Sequence, residues 1–252
     1  MNTRHLPAFA IFVAAVWVLP NIATAQAPAP PPPPPGWAGS ASAGLALTQG
    51  NSDTSTVNAA YELKHDSGGL LVFKSAGLLV WGKAEGELTS DRLALSGRLE
   101  RRLNDRTAVF GQTQYLRDSF KSIDYLVSPT VGLNRILFRN DRTELDVDGA
   151  VGVVWEQNPG LELQTDGALT AGQQFTHKLT ATTELKEKVN ALWKMDDFGD
   201  ALYTFGAGIA ASISTRTQLK AEFLDTYKSK PPFEDVQKND IAMLLSFVYK
   251  LE

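Results

Sequence analysis

Cysteine is absent from the 252 residues, and histidine occurs only three times. The first absence excludes a disulfide framework, a thiolate zinc site and a cysteine nucleophile. The chain also lacks a Walker loop and a dinucleotide fingerprint, so phosphate-cradling chemistry has no sequence support. There is no excess of positive charge. With 24 basic and 28 acidic side chains, the net charge of -4 argues against a nucleic-acid binder. After the first 25 residues no stretch reaches the ~18 apolar residues of a helical membrane span. Yet 43% of the residues are hydrophobic and 21% charged, too apolar a balance for a disordered chain.

The N-terminus reads as a targeting segment. Arg4 and His5 precede an apolar run from Ala8 to Leu19, Pro20 breaks it, and Ala23-Thr24-Ala25 offers an A-x-A cleavage site. Residues 1–25 are therefore expected to be a cleaved secretory signal. Residues 26–36 follow as a lead-in dominated by proline from Ala27 to Pro35, which prefers the polyproline II conformation and cannot donate the hydrogen bonds of a sheet. A spacer is the expected role, with docking of a partner as the alternative.

Residues 37–252 change character. Leu145, Val147, Gly149, Val151, Val153 and Trp155 carry one parity, while Glu144, Asp146, Asp148 and Glu156 carry charge on the other. Such period-two alternation places two faces of a strand against two different media. Twelve segments share it: 37–49, 54–66, 69–82, 89–103, 106–118, 125–138, 143–156, 161–175, 178–193, 200–213, 216–228 and 239–250. They exceed the ~5–6 residues usual for globular strands and suit a tilted membrane-crossing strand of ~9–11. The pattern predicts a closed antiparallel transmembrane β-barrel of twelve strands.

Short and long connections alternate, as in outer-membrane barrels with short periplasmic turns and longer outer loops. Residues 67–69, 104–106, 139–142, 176–178 and 214–216 are the expected turns, which places both chain ends in the periplasm. Aromatics fall into two groups. Trp81, Tyr115, Tyr125, Trp155, Trp193, Tyr203 and Tyr227 gather at the long-loop ends, and Trp37, Phe138, Phe175, Phe247 and Tyr249 at the turn ends, the layout of two interfacial girdles. Glu187 and Asp225 fall on the expected lipid face, where only a bulge or a different strand phase would spare them lipid.

Trp37-Ala38-Gly39-Ser40-Ala41-Ser42-Ala43-Gly44-Leu45, followed by Thr48-Gln49-Gly50-Asn51-Ser52-Asp53-Thr54, resembles the opening of the domain-of-unknown-function family 481, whose members are labelled salt-induced outer-membrane proteins. The resemblance extends in layout over Gly36 to Glu252, with Asn-Asp-Arg-Thr turns at 104–107 and 140–143. It implies an outer-membrane barrel and a link to salt or osmotic conditions, and it carries no activity and no catalytic residues. The chain departs from the usual terminal aromatic, because Lys250-Leu251-Glu252 follow Phe247 and Tyr249. The apolar parity ahead of Tyr249 still resembles the signal read by the barrel-assembly machinery.

Chemistry is expected on the inward face. The phasing places Lys74, Arg92, Arg98, Glu100, Arg102, Asp146, Asp148, Asp166, Glu184, Lys186, Lys188, Lys220 and Glu222 there, beside Glu62, Lys64, Gln112, Gln114, Glu144 and Glu162. Two readings follow, a filled interior whose charges neutralise one another and a small aqueous pore that selects polar solutes. The expected partners are outer-membrane lipid and lipopolysaccharide, with no cofactor and no nucleic acid. A barrel hydrolase would need a hydroxyl within reach of His65 or His177. An exported soluble β-sandwich binding module is the remaining alternative. Asp196, Asp197 and Asp200 in one connection, and Asn51 with Asp53 in another, are the sparse candidates for a hard cation, and a solvated acidic loop is the plainer expectation.

Overall fold

The computed structural model describes residues 36–49, 54–84 and 87–251. The signal segment, the lead-in up to Pro35 and the connections at 50–53 and 85–86 lie outside the described residues. Twelve strands form among the described residues: β1 (Gly36–Gln49), β2 (Thr54–Asp66), β3 (Leu71–Ala84), β4 (Glu87–Asn104), β5 (Thr107–Asp118), β6 (Ile123–Arg139), β7 (Thr143–Gln157), β8 (Gln164–Lys178), β9 (Thr183–Lys194), β10 (Ala201–Ser212), β11 (Thr217–Lys228) and β12 (Asn239–Leu251). Each pairs antiparallel with its sequence neighbours, and β1 closes on β12 from Gly39↔Leu251 to Gln49↔Ile241. Closure leaves no edge, so backbone polar groups are satisfied within the sheet.

One parity holds around the ring except beside the register shifts next to Ile123 and Phe138. Large apolar side chains exposed on the strands are odd-numbered, from Trp37 and Leu79 through Val131, Val151 and Leu219 to Leu245 and Leu251. Phe138 is the exception, displaced by the register shift between Ile136 and Phe138. Buried strand residues such as Phe110, Val154, Glu156, Leu192 and Leu244 are even-numbered and face the interior. The strands are strongly tilted. Successive partners lead from Trp37 at the turn end of β1 through His65, Phe73, Leu99, Gly111, Val131, Val151 and Leu169 to Trp193, next to the loop end of β9.

Local chemistry sets the turns. Asn104 accepts from Arg106 N, and Asn140 Oδ1 accepts from Arg142 N and Thr143 N at 2.9 and 2.7 Å. Ser214 does the same for Arg216 N and Thr217 N. These are the side-chain-to-backbone bonds that make Asx and Ser/Thr turns. They also correct one expected turn. Residues 176–178 belong to β8, and the chain reverses over 179–182, where Thr180 Oγ1 accepts from Thr182 N and Thr183 N. In consequence β9 starts at Thr183; β8 starts at Gln164, and Glu162 is exposed in the 158–163 connection. Four of the turns share a spacing, with Asn, Thr or Ser three residues before a Thr.

Candidate functional site

The interior is layered. At the turn end, inward side chains are charged and paired. Lys74 donates to Glu100 at 2.9 Å, and Arg98 contacts Glu100 at 2.6 Å and Asp148 at 3.2 Å while its guanidinium lies 3.5 Å from the centre of the Phe110 ring. Arg102 binds Asp66 and also donates to Gly69 O at 3.0 Å. Asp146 accepts from Asn134 at 3.0 Å, Lys186 meets Glu184 at 3.2 Å, and Lys220 meets Glu222 at 2.8 Å. Lys188 shares this level, opposite Gly206 and Gln174, without an ion pair among the described residues. Several of these side chains, Lys64, Lys74 and Lys186 among them, keep more than two-fifths of their surface accessible.

Above this level the inward residues turn small and apolar. Leu116, Ile123, Leu126, Val154, Ala168 and Leu192 form one buried cluster with Ala94 and Leu202 against it. Val80 and Leu244 form a second, joined by Leu78, Leu224 and Ala242. Side chains from β3 through β12 thus contribute buried apolar groups at this level.

The loop end carries a layer of buried ion pairs. Glu156 on β7 is 1% exposed and binds Lys228 of β11 at 2.7 Å and Lys194 of β9 at 2.9 Å. Lys194 continues to Asp200 at 2.8 Å and Asp166 at 3.7 Å, and Asn158 donates to Glu156 at 3.2 Å and to Ser122 O at 2.7 Å. Arg92 on β4 pairs with Asp118 at 3.3 Å and donates to Thr226 of β11 at 2.8 Å. The short 3₁₀ turn Ser119–Lys121 completes the layer. It ends on Ser122 in the left-handed region, and it carries Lys121, fully buried, to Asp240 at 2.8 Å and Gln237 O at 3.1 Å. Burial pushes the Lys121 ammonium below the ordinary lysine range, against the pull of Asp240.

Arg92 and Thr226, like Lys121 and Asp240, come from opposite sides of the ring, so single side chains cross the lumen here. Buried charges survive desolvation only when several partners satisfy them, and this layer supplies such partners. Sequence reasoning names Arg92 and Asp166 from it, puts Glu156 on the charged parity and Asp200 in a candidate cation loop, and misses Asp118, Lys121, Lys194, Lys228 and Asp240. Most of these sit at strand ends or in connections, where charge is read as solvated. The even numbering of Asp118, Lys194 and Lys228, shared with Glu156, is the signal that would have found them.

The outer face carries the aromatics. Trp193 Nε1 donates to Tyr203 Oη at 2.9 Å, their rings meet edge to face, and Tyr203 packs against Tyr227. Trp81 and Trp155 at the loop end, and Trp37, Phe138, Phe247 and Tyr249 at the turn end, are exposed. Tyr115 and Tyr125 are half-buried on the same parity. Glu187 and Asp225 stay outward, because the pairing of β9 and β11 runs without a register shift. Neither a bulge nor a change of phase removes them. The two histidines among the described residues lie apart on the outer face near the turn end. His177 Nδ1 is 2.8 Å from Thr143 Oγ1 and stacks on Phe175, and His65 lies against Trp37. Asp197 is ion-paired to Lys230, and Asp200 to Lys194.

The model of a family described as proteins of unknown function, DUF481, matches residues 41–251. No curated protein matches the sequence. Solved structures do share the fold. The NanC porin aligns with a TM-score of 0.57 at 9% identity, over 84% of this chain and 100% of that one. An outer-membrane channel from Pseudomonas putida F1 gives 0.54 at 12% identity, over 90% and 100%. The translocator domain of the autotransporter NalP from Neisseria meningitidis gives 0.51 at 9% identity, over 87% and 90%. The architecture is thus a porin-like closed β-barrel of the kind found in outer membranes.

Proposed function

The chain belongs to the DUF481 family, and from that premise and the layered interior we propose that it is an outer-membrane, porin-like channel for small polar solutes, held shut at its loop end by the ion-pair layer. The observation that carries the reading is the contrast along the lumen. Polar, accessible side chains at the turn end give way to buried apolar and ion-paired side chains toward the loop end, with no separate domain inside the barrel among the described residues. Two of the similar structures are a porin and an outer-membrane channel, which supports the same class.

The proposal orients the turn end and both chain ends toward the periplasm, as the short-turn rule for such barrels implies. The outward aromatics would lie at the two interfaces, with the exposed Leu, Val and Phe side chains between them in lipid. The apolar parity of β12 would serve the barrel-assembly machinery, and lipopolysaccharide would surround the loop end. Passage, not catalysis, is the role assigned to the inward residues, because their partners are opposite charges rather than a hydroxyl and an imidazole.

Planar-bilayer recording tests the proposal. The wild type is expected to show rare, brief openings. Glu156→Gln, which strips the layer of its central carboxylate, should open far more often. A silent bilayer for both proteins, with each barrel shown to be folded by heat-modifiable gel migration, would refute a channel.

A further inference from the structure

The outward face of the turn half is apolar around most of the ring, and β4 and β6 break the pattern. Arg101 and Arg135 point outward there and are exposed, and neither has an ion pair or hydrogen bond from its side chain among the described residues. They stand among exposed Leu99, Leu103, Leu133 and Leu137. β5 lies between them, with Arg101 opposite Val109 and Arg135 opposite Thr107, one side-chain repeat apart along that strand. Both guanidiniums therefore look onto the same short stretch of wall.

Directly loopward the wall is indented. Gly97 on β4 and Gly111 on β5 lie diagonally beside each other, and a Cβ added at either would meet nothing within 4 Å. Exposed Leu95, Leu99, Val131 and Leu133 stand on the two sides. The Asn-Asp-Arg-Thr turns put Arg106 and Arg142, both exposed, at the rim below.

We infer that this wall is a binding site for an anionic glycerophospholipid, whose phosphate the Arg101 and Arg135 guanidiniums hold while an acyl chain lies in the trough over Gly97 and Gly111. An unpaired guanidinium on a lipid face is costly unless it reaches an oxyanion at the interface, and its planar fork matches phosphate in two-point contacts. Two such groups across one strand can share one headgroup. The far wall at a similar distance from the turns offers Glu187 and no cation among the described residues, so the preference is confined to one side. The inference is independent of passage through the lumen, and a barrel that never conducts would still show it.

The full-length barrel in phosphatidylcholine vesicles, with and without phosphatidylglycerol, provides the test. The temperature at which the folded gel species is lost should rise by a few degrees with phosphatidylglycerol for the wild type and for a loop-end control, Lys230→Gln. Arg101→Gln/Arg135→Gln should gain nothing, and Gly111→Val, which fills the trough, should gain less than the wild type. An equal rise in the double variant, or the same rise from inorganic phosphate or lipopolysaccharide, would overturn the assignment. Native mass spectrometry of the wild type in an equal mixture of the two phospholipids needs no variant. Preferential retention of phosphatidylglycerol supports the site, and equal retention overturns it.

Discussion

Arg92 donates a 2.8 Å hydrogen bond to Thr226 although β4 and β11 stand on opposite sides of the ring. Such a bond demands that the loop end be narrow enough for one arginine to cross it. The ion-pair layer then stands loopward of the apolar clusters.

Removing Glu156 from that layer leaves two buried ammoniums with Asp200 and, for Lys194, Asp166 as the remaining carboxylates. Glu156→Gln deprives Lys194 and Lys228 of their shared carboxylate and is expected to cost about 3–5 kcal/mol. Loss of the folded gel species at lower urea would report it. The double change Glu156→Leu/Lys228→Met should recover part of the loss, since a buried pair replaced by apolar side chains is often neutral.

Acid should reach the loops late. The Lys230 ammonium, with Gly199 N, holds the Asp197 carboxyl below the usual carboxylate range. A depressed folded value means that this tether is present above the ordinary aspartate pKa of about 3.9 and is lost only as pH falls through the lower value. A carboxyl-carbon titration followed by NMR should show Asp197 titrating below its ordinary range in the wild type and within it in Lys230→Met.

The turns can be tested singly. Asn140→Ala removes the acceptor for two backbone N–H groups, and Thr180→Ala does the same at the corrected turn, each at an expected cost of about 1 kcal/mol. Urea titration of the detergent-folded barrel would measure both. Thr176→Ala, now placed within β8, should have a smaller effect.

Gly44 is where the seam tolerates nothing larger. A Cβ at this position would stand 1.8 Å from Leu245 O on β12. Gly44→Ala must push the two strands apart, and overpacking of this kind costs about 1–3 kcal/mol or more. The expected outcome is a protein that binds detergent or lipid yet fails to show the compact gel species.

Most of the architecture was legible because a barrel strand is amphipathic from end to end. In the 239–250 segment Ile241, Met243, Leu245, Phe247 and Tyr249 repeat every second residue, and β12 follows them within a residue. The β8–β9 turn was less legible because Thr176, His177 and Lys178 are as polar as a turn. Thr180 and Thr183 mark the true reversal, by the spacing that also marks Asn140 with Thr143 and Ser214 with Thr217. Pairing across the lumen was illegible in principle. Nothing local tells that Lys121 reaches Asp240 or that Glu156 reaches Lys228, since those distances depend on how far the ring narrows.

The register of Gly39–Gln49 against Ile241–Leu251 has a consequence for timing. The first strand to leave the ribosome waits for the last as its partner, so any shorter nascent chain has two open borders and no native refuge in water. Escort until β12 has been made is thereby built into the topology, and loss of that strand would strand the whole molecule, not merely trim it.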